Sequence, residues 1–293
     1  MTFDAVGYRN QTVIADGDWR EEFRLRGWEK STPPERVNLQ RPDIVRDVAA
    51  AFLDAGARVL VTNTAGANAA ALAEAPPGAT LKEEELAALN REGAAILCAV
   101  VSEHHAADTL VLGAVGPTER LLLLEEITEA ALYDAWASQA EALAAGGADA
   151  ILCQGFTEIR ALSVAVRAAR AATDLPVFGS LVFGFGPEQT ETSLGGTVPQ
   201  ACAVLSEAGA AGAGCEGRDN PDSVLEVVKL MRQTCDLPIW VRVPAGHPQL
   251  HARALVYPEQ TRTVRGMALR SALQNPGPHL GPFVLQARLE SGE

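Results

Sequence analysis

The chain has 293 residues, is 47% hydrophobic, and carries a formal charge of −13 from 24 basic and 37 acidic side chains. That size suits one large domain or two small ones, and so acidic a chain repels nucleic acid and anionic membranes, whose phosphates need clustered cations. No apolar run reaches the roughly 18 residues of a membrane-spanning helix, and the opening MTFDAVGYRNQT lacks the basic-then-apolar order of a secretory signal.

In chain order, the first strand is expected within 12-TVIADG-17, and a helix follows over 43-DIVRDVAAAFLDAG-56. A strand in 57-ARVLV-61 leads to a long helix, 83-EEELAALNREGAAILCAVVSEH-104, and then to the strand 108-DTLVLGAVGP-117. In 128-TEAALYDAWASQAEALAAG-146, Leu132, Trp136, Ala140 and Leu143 recur at helical spacing, and Thr128 is the natural N-cap. Strands in 148-ADAIL-152, 174-DLPVFGSLVF-183, 207-EAGAAGAG-214 and 236-DLPIWVRV-243 alternate with helices at 157–172, 197–208 and 222–234. A last helix, 261–273, and an eighth strand, 282–286, are the least regular of the set.

One phrase recurs at 54-DAGARVLV-61, 145-AGGADAIL-152 and 207-EAGAAGAG-214: a helix runs into Gly, then Ala, then a short apolar strand. Glycine just past a helix end takes the left-handed conformation that stops the helix, and a short unalternated apolar run suits a strand covered on both faces. Repeated strand–helix alternation, with no linker or shift in composition, means a parallel sheet with crossover helices. Seven or eight units in this length fit a single α/β domain over 1–293, a (βα)8 TIM barrel of about 250 residues with its last strand region shortened or degenerate. A doubly wound sheet would call for a glycine-rich phosphate turn after the first strand, and DGDWREE is not one.

Such a barrel carries its active site where the strands end. Those positions here are Asp16-Gly17, Thr62-Asn63-Thr64, Gly116-Pro117-Thr118, Gln154, Phe183, Cys215 and Pro244-Ala245-Gly246. The set is small, polar and thiol-bearing, with few charges. Each member also has a local reading: Asp16 as a helix cap, Thr62 to Thr64 as strand-end hydrogen bonding, Cys215 as a small buried apolar residue. Five cysteines (98, 153, 202, 215 and 235), an odd number set in apolar surroundings, point to reduced cytoplasmic thiols rather than a disulfide framework.

These strand ends, in this order, resemble the homocysteine S-methyltransferase family, which includes the homocysteine module of cobalamin-dependent methionine synthase and the betaine enzymes. The resemblance rests on 15-ADGDWREEFRLRG-27, 38-NLQRPDIV-45, 55-AGARVLVTNTAGAN-68, 113-GAVGPTERLL-122, 154-QGF-156, 195-GGTVPQA-201, 212-GAGCEG-217 and 244-PAGHP-248. It implies a (βα)8 barrel that acts in methionine biosynthesis by methyl transfer to a small thiol such as homocysteine. The resemblance places Asp16, Gly17, Thr62, Asn63, Thr64 and Gln154 against the substrate. It also implies a zinc ion held by three thiolates, and sets Cys215 in the place of the first, as catalytic and metal-ligating residue.

The chain departs from that pattern at several points. No Cys-Cys pair follows; its best counterpart is 277-GPHLG-281, where His279 is a candidate ligand and Leu280 is not. His247 and His251 are further imidazoles after the seventh strand. Gln154 stands where the family has a glutamate, and Asp16-Gly17 is followed by Asp18-Trp19 rather than by the family's usual continuation. Two readings therefore stay open: a methyltransferase acting on a small thiol, or a member without zinc or methyl transfer that binds an amino acid or one-carbon metabolite or partners a methyltransferase. Direct nucleophilic use of Cys215 is a third, with Glu216 opposing thiolate formation and Arg218 favouring it. The methyl donor, including a separate corrinoid protein, is not legible. The stretch 120-RLLLLEE-126 reads as a dimer face or a buried helix.

Overall fold

The computed structural model describes residues 13–28, 33–72, 81–217, 221–244 and 251–256. Its strands are β1 (Val13–Ile14), β2 (Val59–Val61), β3 (Leu110–Val115), β4 (Ala150–Phe156), β5 (Val177–Val182), β6 (Gly212–Glu216), β7 (Ile239–Pro244) and β8 (His251–Val256). The helices are α1 (Trp19–Leu25), α2 (Val37–Gln40), α3 (Pro42–Asp54), α4 (Ala69–Leu72), α5 (Glu83–Glu103), α6 (Glu129–Ala145), α7 (Ile159–Ala172), α8 (Val198–Glu207) and α9 (Pro221–Thr234), with a 3-10 turn at Pro34–Arg36.

From β2 to β7 each strand pairs in parallel with the next, and a helix lies between each pair. The ring closes through a parallel bridge between Ala15 and Val59, reinforced by bonds from Asp16 N to Val59 O and Arg58 N to Ile14 O, both 2.9 Å. Between β7 and β1 the expected order changes. Strand β8 begins seven residues after β7 ends and runs antiparallel to both neighbours. The eighth unit is thus degenerate, as the irregular end of the sequence suggests, but His251–Val256 fills its place. The expected strand at 282–286 and helix at 261–273 lie outside the described residues.

The recurring glycines act as the sequence implies. Gly56, Gly147 and Gly209 have φ of 98°, 95° and 74°, ending α3, α6 and α8 just before the chain enters a strand. Thr128 caps α6 by accepting from Ala131 N at 3.2 Å, and Leu132, Trp136, Ala140 and Leu143 are fully buried on one face of that helix. Trp136 meets Phe156 edge-on, with ring centroids 5.4 Å apart, joining helix layer to sheet.

The pleat divides the buried side chains into two populations. Val13, Ala15, Val59, Val61, Leu110, Leu112, Ala114, Ala150, Leu152, Phe178 and Trp240 fill the lumen. Leu60, Val111, Ile151, Cys153, Leu181, Cys215 and Val241 alternate with them and pack outward against the helices. The lumen is therefore a packed apolar plug over most of its height, and polar groups enter it only near the carboxyl ends of the strands.

Candidate functional site at the carboxyl ends of the strands

Several expected contacts prove to be engaged in holding the barrel together. Asp16 is fully buried; its Oδ2 accepts from Trp19 Nε1 at 2.6 Å and from Val61 N at 2.7 Å. It does not cap α1, because Asp18 does, accepting from Arg20 N and Glu21 N. Gly17 links these two aspartates. Asp16 thus ties β1 to β2 and to an aromatic group formed by Trp19, Phe23 and Phe52.

The Thr62-Asn63-Thr64 stretch is locked in the same way. Thr62 Oγ1 accepts from Ala114 N at 2.8 Å and lies 2.6 Å from Thr64 Oγ1, which donates to Ala114 O at 2.8 Å. Asn63 Nδ2 donates to Pro34 O at 2.6 Å, and Asn63 O accepts from Asn38 Nδ2. Gln139 Nε2 of α6 donates to Thr64 O at 2.7 Å. Trp136 Nε1 donates to Gly116 O at 3.0 Å, so the β3 end is held by the same helix. Of the two readings open for these residues, strand-end hydrogen bonding is the one the geometry supplies.

Cys215 faces away from the lumen. On β6, Gly212, Gly214 and Glu216 alternate inward; a Cβ on Gly212 would meet the Phe178 ring, and one on Gly214 would meet Ser180 and Trp240. Ala213 and Cys215 alternate outward, and Cys215 lines a narrow crevice with Phe183, Ser223, Val224 and Val227 beneath α9. Burial pushes its thiol well above the usual range, and the neighbouring Glu216 adds to this. Phe183 is likewise buried on the helix side. Among the described residues no three His, Cys, Asp or Glu side chains stand together as a metal site. His279 and His247 lie outside the described residues, as do Ala245-Gly246 and Arg218, and of His251 only the backbone is described.

The residue that does enter the lumen is Glu216, only 3% exposed. Its Oε1 accepts from Gly155 N at 2.7 Å and from Ser180 Oγ at 3.1 Å, and its Oε2 accepts from Arg242 Nη1 at 3.1 Å. Val182, Glu216 and Arg242 are register partners across β5, β6 and β7, so this pair forms one layer directly above Ser180, Gly214 and Trp240. On β4 the register slips between Cys153 and Phe156, with Gly155 at φ +80°. That bulge turns the Gly155 amide toward Glu216; a residue with a Cβ is strained in this conformation. Beside it stands Gln154, whose Oε1 is buried without a hydrogen-bond partner, and Arg242 Nε is buried in the same state. Unpaired buried polar atoms are costly, and Gln154 Oε1 and Arg242 Nε are two such atoms near the carboxyl ends of their strands.

Among the expected contacts, Gln154 precedes the Gly155 whose amide bonds Glu216, and Asp16, Thr62, Asn63 and Thr64 make hydrogen bonds within the barrel wall. Sequence reasoning overlooked Glu216 and Arg242 as site residues. The signal was present: opposite charges end two adjacent apolar strands, GAGCE and IWVR, and a charge inside a buried strand needs a partner.

A groove of about 630 Å³ also opens outside the sheet between α5 and α6, with Asn68, Asn90 and Gln139 on its wall. Those amides already bond the loop after β2 and one another, so the groove is set apart from the strand-end chemistry. The stretch 120–126 forms turns rather than a helix. Leu122 is buried with its N–H on Glu158 Oε2, while Leu123 and Leu124 are 64% and 61% exposed.

The fold places this chain in the (βα)8 barrel class, with a polar layer of side chains at the carboxyl ends of its strands. A profile of homocysteine S-methyltransferases matches residues 13–275, and the chain belongs to that family. It is 29% identical over 232 residues to methionine synthase of Mycobacterium tuberculosis (strain ATCC 25618 / H37Rv), covering 76% of this chain and 19% of that protein. Methionine synthase of Mycobacterium leprae (strain TN) is 28% identical over 234 residues, with 77% and 19% covered. This chain therefore spans about a fifth of the length of these relatives. Among solved structures, the metallated form of the homocysteine methyltransferase MmuM from Escherichia coli superposes with a TM-score of 0.67 at 19% identity, covering 78% of this chain and 82% of that one. Its oxidized form gives 0.68, also at 19% identity, covering 80% and 83%. At that identity the likeness concerns the fold.

Proposed function

We propose that this barrel binds a small thiol amino acid, homocysteine or a close analogue, at the carboxyl end of its lumen and receives a methyl group on the bound sulfur. The observation that carries this reading is the bonded layer of Ser180, Glu216 and Arg242 at the end of an otherwise apolar lumen, with Gln154 beside the Gly155 that joins it. An α-amino acid presents an ammonium and a carboxylate a few ångströms apart. Glu216 and the unpaired Gln154 Oε1 complement the first, and the Arg242 guanidinium complements the second. Family membership supports a thiol as the reacting group, and the methionine synthase relatives support methionine formation as its purpose.

A free thiol is only a few per cent ionised near neutral pH, so the reaction needs a cation beside the sulfur. Zinc would supply one when bound, holding the sulfur as thiolate. The described residues do not fit such a site, because Cys215 points its thiol into the helix layer. Zinc at the mouth would need donors from beyond Pro244, His279 among them. The cation that this chain's described residues set into the lumen mouth is Arg242, and its role is to orient the ligand and stabilise negative charge on it. A methyl-donor or corrinoid protein is the partner this reading calls for, since the sulfur needs a methyl group to attack. No helix among the described residues is long and apolar enough to cross a membrane.

Titration calorimetry with homocysteine, methionine and serine tests the binding half, and transfer from methyltetrahydrofolate, methylcobalamin, betaine or S-methylmethionine tests the chemistry. Homocysteine is expected to bind, and Arg242→Met to weaken it by at least about tenfold, the loss of a charge-assisted pair. No heat with homocysteine and no methionine from any of the four donors would sink the reading.

A further inference from the structure

Ser180 is a polar side chain set in the apolar part of the lumen. It is fully buried on β5, in register with Gly214 of β6. A Cβ on Gly214 would lie 2.8 Å from the Ser180 Cβ and 2.9 Å from its Oγ, so the glycine leaves the room that the serine occupies. A hydroxyl buried in this way is costly unless it is bonded. Its Oγ donates to Glu216 Oε1 at 3.1 Å, one layer higher on the next strand.

The same oxygen has a second donor, Gly155 N at 2.7 Å, delivered by the register slip of β4 and by the glycine's φ of +80°. The two donors to Oε1 thus come from β4 and β5, on one side of β6, and the Arg242 Nη1 donor to Oε2 comes from β7, on the other. A carboxylate offers about two acceptor sites on each oxygen. Among the described residues, Gly155 and Ser180 fill both sites on Oε1, while Arg242 fills one on Oε2 and leaves one open.

We propose that Ser180 and the Gly155 amide are positioning groups for recognition of the ligand's amino group: by filling Oε1 they fix the carboxylate of Glu216 so that Oε2 receives the ammonium. This rests on the function proposed above and extends it to two groups that act on the ligand only through Glu216. The last torsion of a glutamate is broad, so a rotamer alone does not orient its carboxylate. Donors that hold one oxygen supply that orientation before the ligand arrives, and a contact made ready in advance loses less freedom on binding.

Calorimetry of the full chain with homocysteine and with 4-mercaptobutanoate, the same thiol acid without the ammonium, tests this. The unaltered chain is expected to bind homocysteine at least about tenfold more tightly than the analogue. Ser180→Ala removes one oxygen and leaves the Gly155 bond, so the chain should still fold, as a urea melt checks. It should weaken homocysteine at least about fivefold and change the analogue less than about twofold. In Gly155→Ala the new Cβ meets only Pro117 Cδ, at 3.7 Å, so the strain lies in the backbone and should narrow the preference in the same way. Gly155→Asn, a residue that tolerates this conformation, should restore it. The proposal is overturned if Ser180→Ala weakens both ligands equally, as a merely structural serine would, if it changes neither, or if the unaltered chain does not distinguish the two. Failure of the unaltered chain to bind homocysteine at all is a different result, which sinks the proposed function and this inference with it.

Discussion

Asp16 and Cys215 exchange the roles that their residue types suggest. A carboxylate at a strand end and a thiol on the sixth strand both read as ligand contacts, and the contacts each makes here lie in the wall of the barrel. Replacing Asp16 with Ala leaves the Trp19 indole and the Val61 amide as buried donors without their acceptor. The expected cost is about 3 kcal/mol, read as a lowered midpoint in urea denaturation. Cys215→Ser places a hydroxyl among Phe183, Val224 and Val227, and should cost about 1–2 kcal/mol while leaving zinc content and homocysteine affinity unchanged. Loss of bound metal in that variant would contradict the outward orientation of the thiol. Glu216 shows the opposite case: an ordinary-looking neighbour of the cysteine becomes the buried centre of the mouth, with three donors on its two oxygens.

At the scale of single elements, local signals dominate and the sequence reading is close to the structure. Helix α6 begins at its expected cap, buries its expected stripe, and ends at a glycine with positive φ. Thr128→Ala removes the one side-chain bond at that N-terminus and should lower stability by about 1 kcal/mol without altering ligand binding, since the cap lies on the helix layer. A thermal melt unchanged within error would show that the cap contributes nothing. Where local signals were weak, the elements differ from expectation. The stretch 120-RLLLLEE-126 has leucines on every side and so no helical phase; it forms turns that bury Leu122 and leave Leu123 and Leu124 outside. The last strand shows the same limit: the order of elements predicts another parallel strand, but β8 pairs antiparallel with β7.

For the whole molecule, the lumen is the quantity under constraint. Phe178 and Trp240 share it with Gly212 and Gly214, and a Cβ on Gly212 would lie 2.3 Å from the Phe178 ring. Gly212→Val should therefore overpack the lumen, costing about 1–3 kcal/mol or more and disturbing the Glu216 layer on the same strand, so that stability and homocysteine binding fall together. Calorimetry and denaturation of one sample would test this, and stability lost with affinity intact would separate the lumen from the site. The net charge of −13 belongs to this scale too, favouring solubility and small-molecule chemistry over polyanion binding.

Local sequence was enough to determine the alternation of strands and helices, the glycines that stop three helices, the cap of α6, and, through the order of its strand-end motifs, the family. These are encoded in neighbouring residues and in periodicity. Which side chains enter the lumen was decided by the tertiary structure alone. A strand such as GAGCE is apolar or small along its length and covered on both faces, so it carries no alternation from which to read a phase. Only its register against β5 and β7 turns Glu216 inward toward Arg242 and Cys215 outward toward the helices.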